Sequence, residues 1–242
     1  MKIRVIDFET TGTDKDLKAG KKVEICEVGY TDVDVETRYV SMPLWHFVNP
    51  GLPIPPEARA IHHICDNDVA NAISPAAART LLMADMGPGD LFAAHRAAFE
   101  QTFFPGGTHE WICTYVAAKH LYDDLPSYSN QALRYILGID EGLEWPVLAM
   151  PPHRAGPDSY VTAGIIRHML IENSTRDLTA LTRLPILQKR VPFGKYEGQL
   201  WADMDAGYLE WILKKDFDDE VMNTARHYLR QRRQDSTPYP FA

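Results

Sequence analysis

Three short segments, far apart in the chain, carry side chains able to do metal or proton chemistry. They are Asp7-Phe8-Glu9-Thr10-Thr11-Gly12, His95-Arg96-Ala97-Ala98-Phe99-Glu100 and His153-Arg154-Ala155-Gly156-Pro157-Asp158. Each sets acids beside an apolar run expected to be buried, and burying unpaired carboxylates is expensive. Divalent cations between the acids would remove that cost, and hard oxygen ligands select Mg²⁺ or Mn²⁺ rather than Zn²⁺. The chemistry open to such a set is two-metal cleavage of phosphodiesters. Asp7 and Glu9 are two apart at an expected strand end, so both carboxylates point to one face. Phe99 is expected to face inward, leaving Glu100 near the cleft. Asp158 is expected at the start of a long helix, with His153 in the Pro-rich loop before it. Singly, each segment also fits a plain structural role: a solvated strand end, a helix-start acid favoured by the macrodipole, or an exposed loop histidine. The order and spacing of all three together point to a shared site.

The elements that must position these residues can be read from the pattern around them. Lys2 to Asp7 reads as a buried strand, since Ile3, Val5 and Ile6 are β-branched and the run ends in acid and a Thr-Thr-Gly turn. Val23 to Val33 and Tyr39 to Val48 read as two further strands, a three-stranded antiparallel start. A Pro/Gly-rich loop over 49–56 precedes a short helix over Glu57 to Ile64. Ser74-Pro75 carries helix-start chemistry, and that helix is expected to end near Gly87-Pro88-Gly89. A buried strand over Asp90 to Ala94 feeds a helix from Ala97 to Phe104. Trp111 to Cys113 reads as an edge strand, followed by helices near Tyr115 to Leu121 and Ser129 to Leu137. Asp158 to Glu172 reads as a longer helix with Val161, Ile165, Ile166, Met169 and Leu170 at core-facing spacing. Strands first, then strands alternating with helices, predict an α/β fold built on one mixed sheet flanked by helices. Ser174-Thr175-Arg176-Asp177 resembles a capping box. A boundary there gives a first domain over 1–175 and a small, mainly helical C-terminal region over 183–242. That region opens with a Gly-rich turn, Phe193-Gly194-Lys195-Tyr196-Glu197-Gly198, and continues into two helical stretches.

Composition sets outer limits. With 242 residues, 45% hydrophobic and 24% charged, one large domain plus an appendage is within reach. Three scattered cysteines, Cys26, Cys65 and Cys113, without a Cys-x-x-Cys pair, fit a reduced, cytoplasmic chain. Asp7 and Glu9 interrupt the N-terminal apolar run too early for a signal peptide, and no apolar stretch reaches the length of a membrane span. A net charge of −8 argues against a broad basic footprint for nucleic acid. The charge is uneven, however: from Ser174 onward there are 11 Lys+Arg against 10 Asp+Glu, and before it 14 against 23. His62, His63 and Cys65 could ligate zinc, but no fourth ligand stands at a suitable spacing. Arg226, Arg230 and Arg233 lie at helical spacing and form one basic face. Trp201, Tyr208, Leu209, Trp211, Ile212 and Leu213 read as packing of the small region.

Asp-x-Glu-Thr-Thr-Gly, then His-x-Ala-x-Phe-acid, then His-x-x-x-x-Asp is similar to the histidine subclass of the DEDD exonuclease superfamily. Asn49-Pro50, Ile54-Pro55-Pro56-Glu57-Ala58, Ile61-His62-His63-Ile64 and Tyr128-Ser129-Asn130-Gln131-Ala132-Leu133 resemble further family stretches. The likeness covers roughly the first 175 residues, and the tail from Val191 to Arg233 resembles the region that accompanies exonuclease X-like members. The resemblance implies a ribonuclease H-like sheet and 3′→5′ release of nucleoside 5′-monophosphates from DNA, with RNA as an alternative. It implies two Mg²⁺ or Mn²⁺ ions held by Asp7, Glu9, Glu100 and Asp158, and His153 as general base, a task suited to imidazole. Single-stranded or duplex DNA 3′ ends are the expected partners. Thr10, Thr11, Gly12, His62, Arg96 and Phe99 are expected at the terminal nucleotide, Arg96 reaching a phosphate. One departure stands out: the second motif ends in Glu100 where the family has Asp, and activity is expected to survive because an oxygen ligand is kept. The rival readings are a catalytically silent nucleic-acid-binding protein and a phosphodiesterase for short RNA.

Overall fold

The structure, a computed structural model, describes residues 1–122 and 124–235. The chain divides into two compact units, Met1–Thr182 and Arg183–Ala242. In the first, five strands form one mixed sheet: β1 (Lys2–Thr10), β2 (Ile25–Asp34), β3 (Leu44–Phe47), β4 (Leu91–Ala94) and β5 (Trp111–Cys113), in the order β3-β2-β1-β4-β5. β1 pairs antiparallel with β2 and parallel with β4, while β3 and β5 take the two edges. The expected mixed sheet and the edge position of Trp111–Cys113 are observed. β1 runs three residues further than expected because β2 pairs with it along its whole length, with an irregularity only between Glu9 and Thr10. Asp7 and Glu9 therefore both lie within β1, close to its C-terminal end. β3 is shorter than the expected Tyr39 to Val48: Pro43 offers no N–H to the ladder, and Val40 keeps only an isolated bridge to Val33.

Strand alternation sorts two cores onto the two faces of the sheet. Ile3 and Val5 of β1, with Leu91 and Ala93 of β4, join one core; Ile6 and Phe8, with Phe92 and Ala94, join the other. Asp7 and Glu9 continue the Ile3–Val5 stripe. The helix facing that stripe is α8 (Ala155–Met169), whose Tyr160, Val161, Ile165 and Ile166 are fully buried.

Before α8 come α1 (Asp14–Lys18), α2 (Pro56–His62), α3 (Asp66–Val69), α4 (Pro75–Met83), α5 (Ala97–Phe103), α6 (Thr114–Leu121) and α7 (Asn130–Ile136). α1 was not foreseen, although Thr13 and Asp16 form the capping box that starts it. Ser74 Oγ accepts the Ala77 N–H at the start of α4, as the Ser-Pro pair suggested, but the helix stops at Met83. α8 starts three residues earlier than expected, which puts Asp158 inside its first turn. α9 (Thr175–Thr182) begins at the anticipated Ser174–Asp177 cap and packs against β5 and α6, so it belongs with the first unit. The second unit contains α10 (Ala206–Leu213) and α11 (Asp219–Asp235) around a core of Val191, Trp201, Met204, Leu209, Ile212, Val221, Ala225 and Leu229. No described helix is long and apolar enough to cross a membrane.

Candidate active site

Asp7, Glu9 and Asp158 each offer a carboxylate oxygen, and these oxygens lie within 4.8 Å of one another. They form the one cluster of three or more metal-capable side chains among the described residues. β1 supplies two of them at strand spacing, and the first turn of α8 lays the third across the sheet. The close crossing depends on Gly29 of β2, the register partner of Asp7. A Cβ at Gly29 would stand 2.2 Å from the Ala155 carbonyl group and 2.4 Å from the Gly156 nitrogen. Beyond Gly29 on the same strand face, the Thr31 and Ser159 hydroxyls meet at 2.9 Å.

Asp158 is oriented from two sides. Its Oδ1 accepts from Gln131 Nε2 at 2.9 Å, and its Oδ2 accepts the His153 backbone N–H at 2.8 Å. His153 is exposed, with a left-handed φ of 59° that a non-glycine residue adopts only when its surroundings hold it there. Arg154, next in sequence, pairs with Glu27 of β2, which is completely buried. Arg154 Nε donates to Glu27 Oε2 at 3.0 Å, and Oε2 also accepts the Ala155 N–H at 2.8 Å. The loop bearing His153 is thus pinned at His153 itself and on its C-terminal side. Sequence reasoning missed Glu27 and Arg154. Glu27 sits at the register partner of Glu9, and its signal was a lone acid inside the apolar run Ile25-Cys26-Glu27-Val28.

Burial and mutual repulsion raise the proton affinity of these acids. Burial, then the neighbouring charges of Asp158, Glu9, Glu100 and Glu27, holds the Asp7 carboxyl well above the usual range. Burial and Asp158 push Glu9 to about 8, against a partial relief from Arg154. Asp158 is also raised, mainly by burial, although its hydrogen bonds oppose the shift. A set of acids that cannot all ionise together is a fit for divalent cations, whose charge removes the repulsion.

Glu100 stands apart from the three converged acids. It is 4% exposed, its Oε2 has no hydrogen-bond partner among the described residues, and burial raises it to about 8. The expected burial order is reversed: Glu100 is the buried residue, while Phe99 is half-buried and edge-on to Phe103 at 5.2 Å. Arg96, just before α5, holds a left-handed φ of 78°, and Ala97, Glu100 and Phe103 are the buried residues of the helix that follows. Glu100 is nonetheless close enough to raise both Asp7 and Glu9. A buried, orphaned carboxylate oxygen beside three acids also fits a cation.

The remaining expected site residues divide. Thr10 donates its hydroxyl to the Gly12 carbonyl at 2.6 Å, and Thr11 Oγ1 accepts the Glu24 N–H at 3.0 Å. These side chains shape the turn after β1. At Gly12 a Cβ would lie 2.9 Å from Val23. Arg96 is exposed and lies over the Tyr115 ring at 4.1 Å. His62 must be corrected. Its ring is 2% exposed, with Nδ1 accepting the Ile64 N–H at 3.0 Å and Nε2 facing Cys26 Sγ at 3.7 Å. Burial lowers its pKa, and the ring supports the backbone behind Thr10 instead of meeting a nucleotide. His63 and Cys65 are exposed and form no metal-capable cluster with it among the described residues. His95 is likewise structural: it bridges Thr114 Oγ1 and the Tyr128 carbonyl, both at 2.9 Å, and burial lowers it to about 4.

A family model described as Exonuclease, RNase_T, matches residues 5–166. The chain belongs to the exonuclease family. Its activity class is that of a 3′→5′ exonuclease, a phosphodiester hydrolase. It is 31% identical to exodeoxyribonuclease 10 of Escherichia coli (strain K12), over 94% of this chain and 98% of that protein. Because the first unit accounts for 182 of the 242 residues, that match extends into the second. A solved structure of exonuclease X in complex with 5′ overhanging duplex DNA superposes with a TM-score of 0.59 at 29% identity. That match covers 74% of this chain and 99% of the other. The nuclease domain of 3′hExo, a DEDDh family member bound to rAMP, shares the fold at 17% identity, with a TM-score of 0.55 over 71% of this chain and 92% of that one. A second model, QSregVF_b, a candidate quorum-sensing-regulated virulence factor family, matches residues 180–224.

Proposed function

We propose that this exonuclease removes nucleoside 5′-monophosphates one at a time from the 3′ ends of DNA, using two Mg²⁺ or Mn²⁺ ions. The observation that carries the reading is the meeting of the half-buried Asp7, Glu9 and Asp158 within 4.8 Å, with Glu100, whose buried oxygen is orphaned, near enough to act on Asp7 and Glu9. DNA as substrate is supported by the relative whose name is exodeoxyribonuclease 10 and by the exonuclease X structure determined with duplex DNA. Asp7, Glu9 and Asp158 would hold a first ion, and Asp7 with Glu100 a second. Bound there, divalent cations supply charge neutralisation and Lewis acidity to the scissile phosphodiester.

The chain's own residues do the rest. Gln131 and the His153 N–H fix the Asp158 carboxylate in the direction of the cluster. The His153 imidazole, exposed at the rim, takes the proton from the attacking water. Arg154 and Glu27 hold that loop in register with α8. In this reading Arg96 meets a phosphate, Phe99 meets the terminal sugar or base, and the Thr10–Gly12 turn offers backbone groups to the same nucleotide.

Digestion of 5′-labelled DNA and RNA oligonucleotides with Mg²⁺, with and without chelator, tests the proposal. A ladder of DNA shortening from the 3′ end and abolished by chelator is expected. Label released at once as a mononucleotide, or intact DNA, would overturn it. Preferential loss of the RNA would move the substrate class to RNA.

A further inference from the structure

The second unit holds two tryptophans in opposite settings. Trp201 is fully buried in the small core and donates its indole N–H to the Arg190 carbonyl at 2.9 Å. Trp211, on α10, is 46% exposed. The expectation that it packs the small region is met only in part, through its contacts with Tyr208 and Phe217. Trp211 stands in a run of rings. It stacks on Tyr208 at 5.7 Å and 16°, and Tyr208 meets Tyr196 edge-on at 4.6 Å. On its other side Trp211 meets Phe217 at 6.0 Å, and Phe217 stacks on Phe193 at 4.5 Å and 14°. Two exposed lysines lie over the run: Lys195 Nζ is 4.5 Å from the Tyr196 ring centre, and Lys215 Nζ is 5.9 Å from that of Trp211.

Packing explains the inner rings, since Phe193, Tyr196, Tyr208 and Phe217 rest on the small core. It does not explain an exposed indole with ammonium groups along the same row. Bases stack on such ring faces whatever their sequence, and lysines beside them meet the phosphates. Charge points the same way. From Arg183 onward the chain has 10 Lys+Arg against 9 Asp+Glu, whereas the first 182 residues have 15 against 24. The acidic unit that carries the cluster repels a polyanion at long range, whereas the near-neutral second unit does not. Of the acids near the row, Glu210 on α10 pairs with Arg233 at 3.3 Å and Asp205, the cap before it, accepts the Tyr208 N–H at 2.8 Å, while Glu197 and Asp216 adjoin Tyr196 and Phe217 in sequence.

We infer that the row Tyr196, Tyr208, Trp211 and Phe217, flanked by Lys195 and Lys215, is a stacking site for a single strand of nucleic acid. The choice of nucleic acid over a protein partner rests on the exonuclease reading. The test uses the full chain in chelator, so that nothing is cut, titrated with fluorescein-labelled dT20. Trp211→Ala and the double variant Lys195→Ala/Lys215→Ala are each expected to weaken binding by about tenfold. With Mg²⁺, the ratio of kcat/KM for dT20 to that for dT3 is expected to fall by a similar factor. Variants that bind dT20 as tightly as the parent would overturn the inference, and so would an effect on self-association in sedimentation without one on dT20. A parent that binds dT20 but never shortens it with Mg²⁺ would instead sink the proposed activity and leave the stacking site standing.

Discussion

His153 and Arg154 are neighbours with separate tasks. The His153 side chain is exposed and makes no hydrogen bond among the described residues, whereas Arg154 answers the charge of the fully buried Glu27. His153→Ala is therefore expected to lower turnover by about 10²–10⁴, the usual loss on removing a general base, with Tm unchanged. Arg154→Ala should lower both. It strands a buried carboxylate at a cost of about 3 kcal/mol, the low end for breaking a buried pair because Arg154 is partly exposed. Steady-state kinetics and thermal unfolding on both variants check this; an Arg154→Ala protein with the parent Tm would remove Arg154 from the positioning role. At this scale the acids Asp7, Glu9 and Asp158 were legible because residue type and spacing survive folding. His62 was misread because its ring chemistry says nothing about which way it faces.

One contact between elements decides whether the acids meet. β2 and α8 approach so closely at Gly29 that no side chain fits between them. Gly29→Ala is expected to push the start of α8 off the sheet, moving Asp158 from Asp7 and Glu9. The overpacking itself costs about 1–3 kcal/mol. The expected result is a folded protein of lower Tm, with Mg²⁺-dependent cleavage lost out of proportion to stability. Isothermal titration with Mn²⁺ would measure the matching loss of cation affinity, and parent-like affinity would refute the argument. Element types were mostly legible, since the β-branched run of β1 and the 3.6-residue periodicity of α8 leave little choice. Boundaries were not: β1 was lengthened by its partner, β3 was cut short at Pro43, and α8 gained a turn because Glu27 holds the Ala155 N–H.

For the whole molecule, the acid cluster links stability, pH and metal. Glu9 and Glu100 titrate near 8 in the folded chain against an ordinary 4.5. Between those values the folded state binds more protons than the unfolded chain, so their contribution is full below about 4.5 and lost as pH rises through 8. His95, lowered to about 4, works in the opposite sense, with stability that is lost as pH falls below 6.5. Above 6.5 the acids act alone. Chelated protein is therefore expected to show a falling Tm from pH 6.5 to 8. Cations compete with the same protons, so Mg²⁺ should raise Tm more at pH 8 than at pH 6.5, with about 2.7 kcal/mol available at a hundredfold excess over Kd. A Tm of the chelated protein that is flat over that range and indifferent to Mg²⁺ would show that the acids are not the linked groups.

By itself the sequence determined the chemical inventory: four acids and a histidine able to do metal and proton chemistry, carried on strand and helix patterns that local propensity enforces. It also determined the mixed α/β class, because alternation and helical periodicity are local properties. Only the tertiary structure decided that Glu27 stands behind Glu9, that Glu100 is buried without a partner, that His62 turns away and that Trp211 turns out. Those four facts depend on which surfaces meet across the fold, and no local run of residues encodes the distance between two elements that are a hundred positions apart.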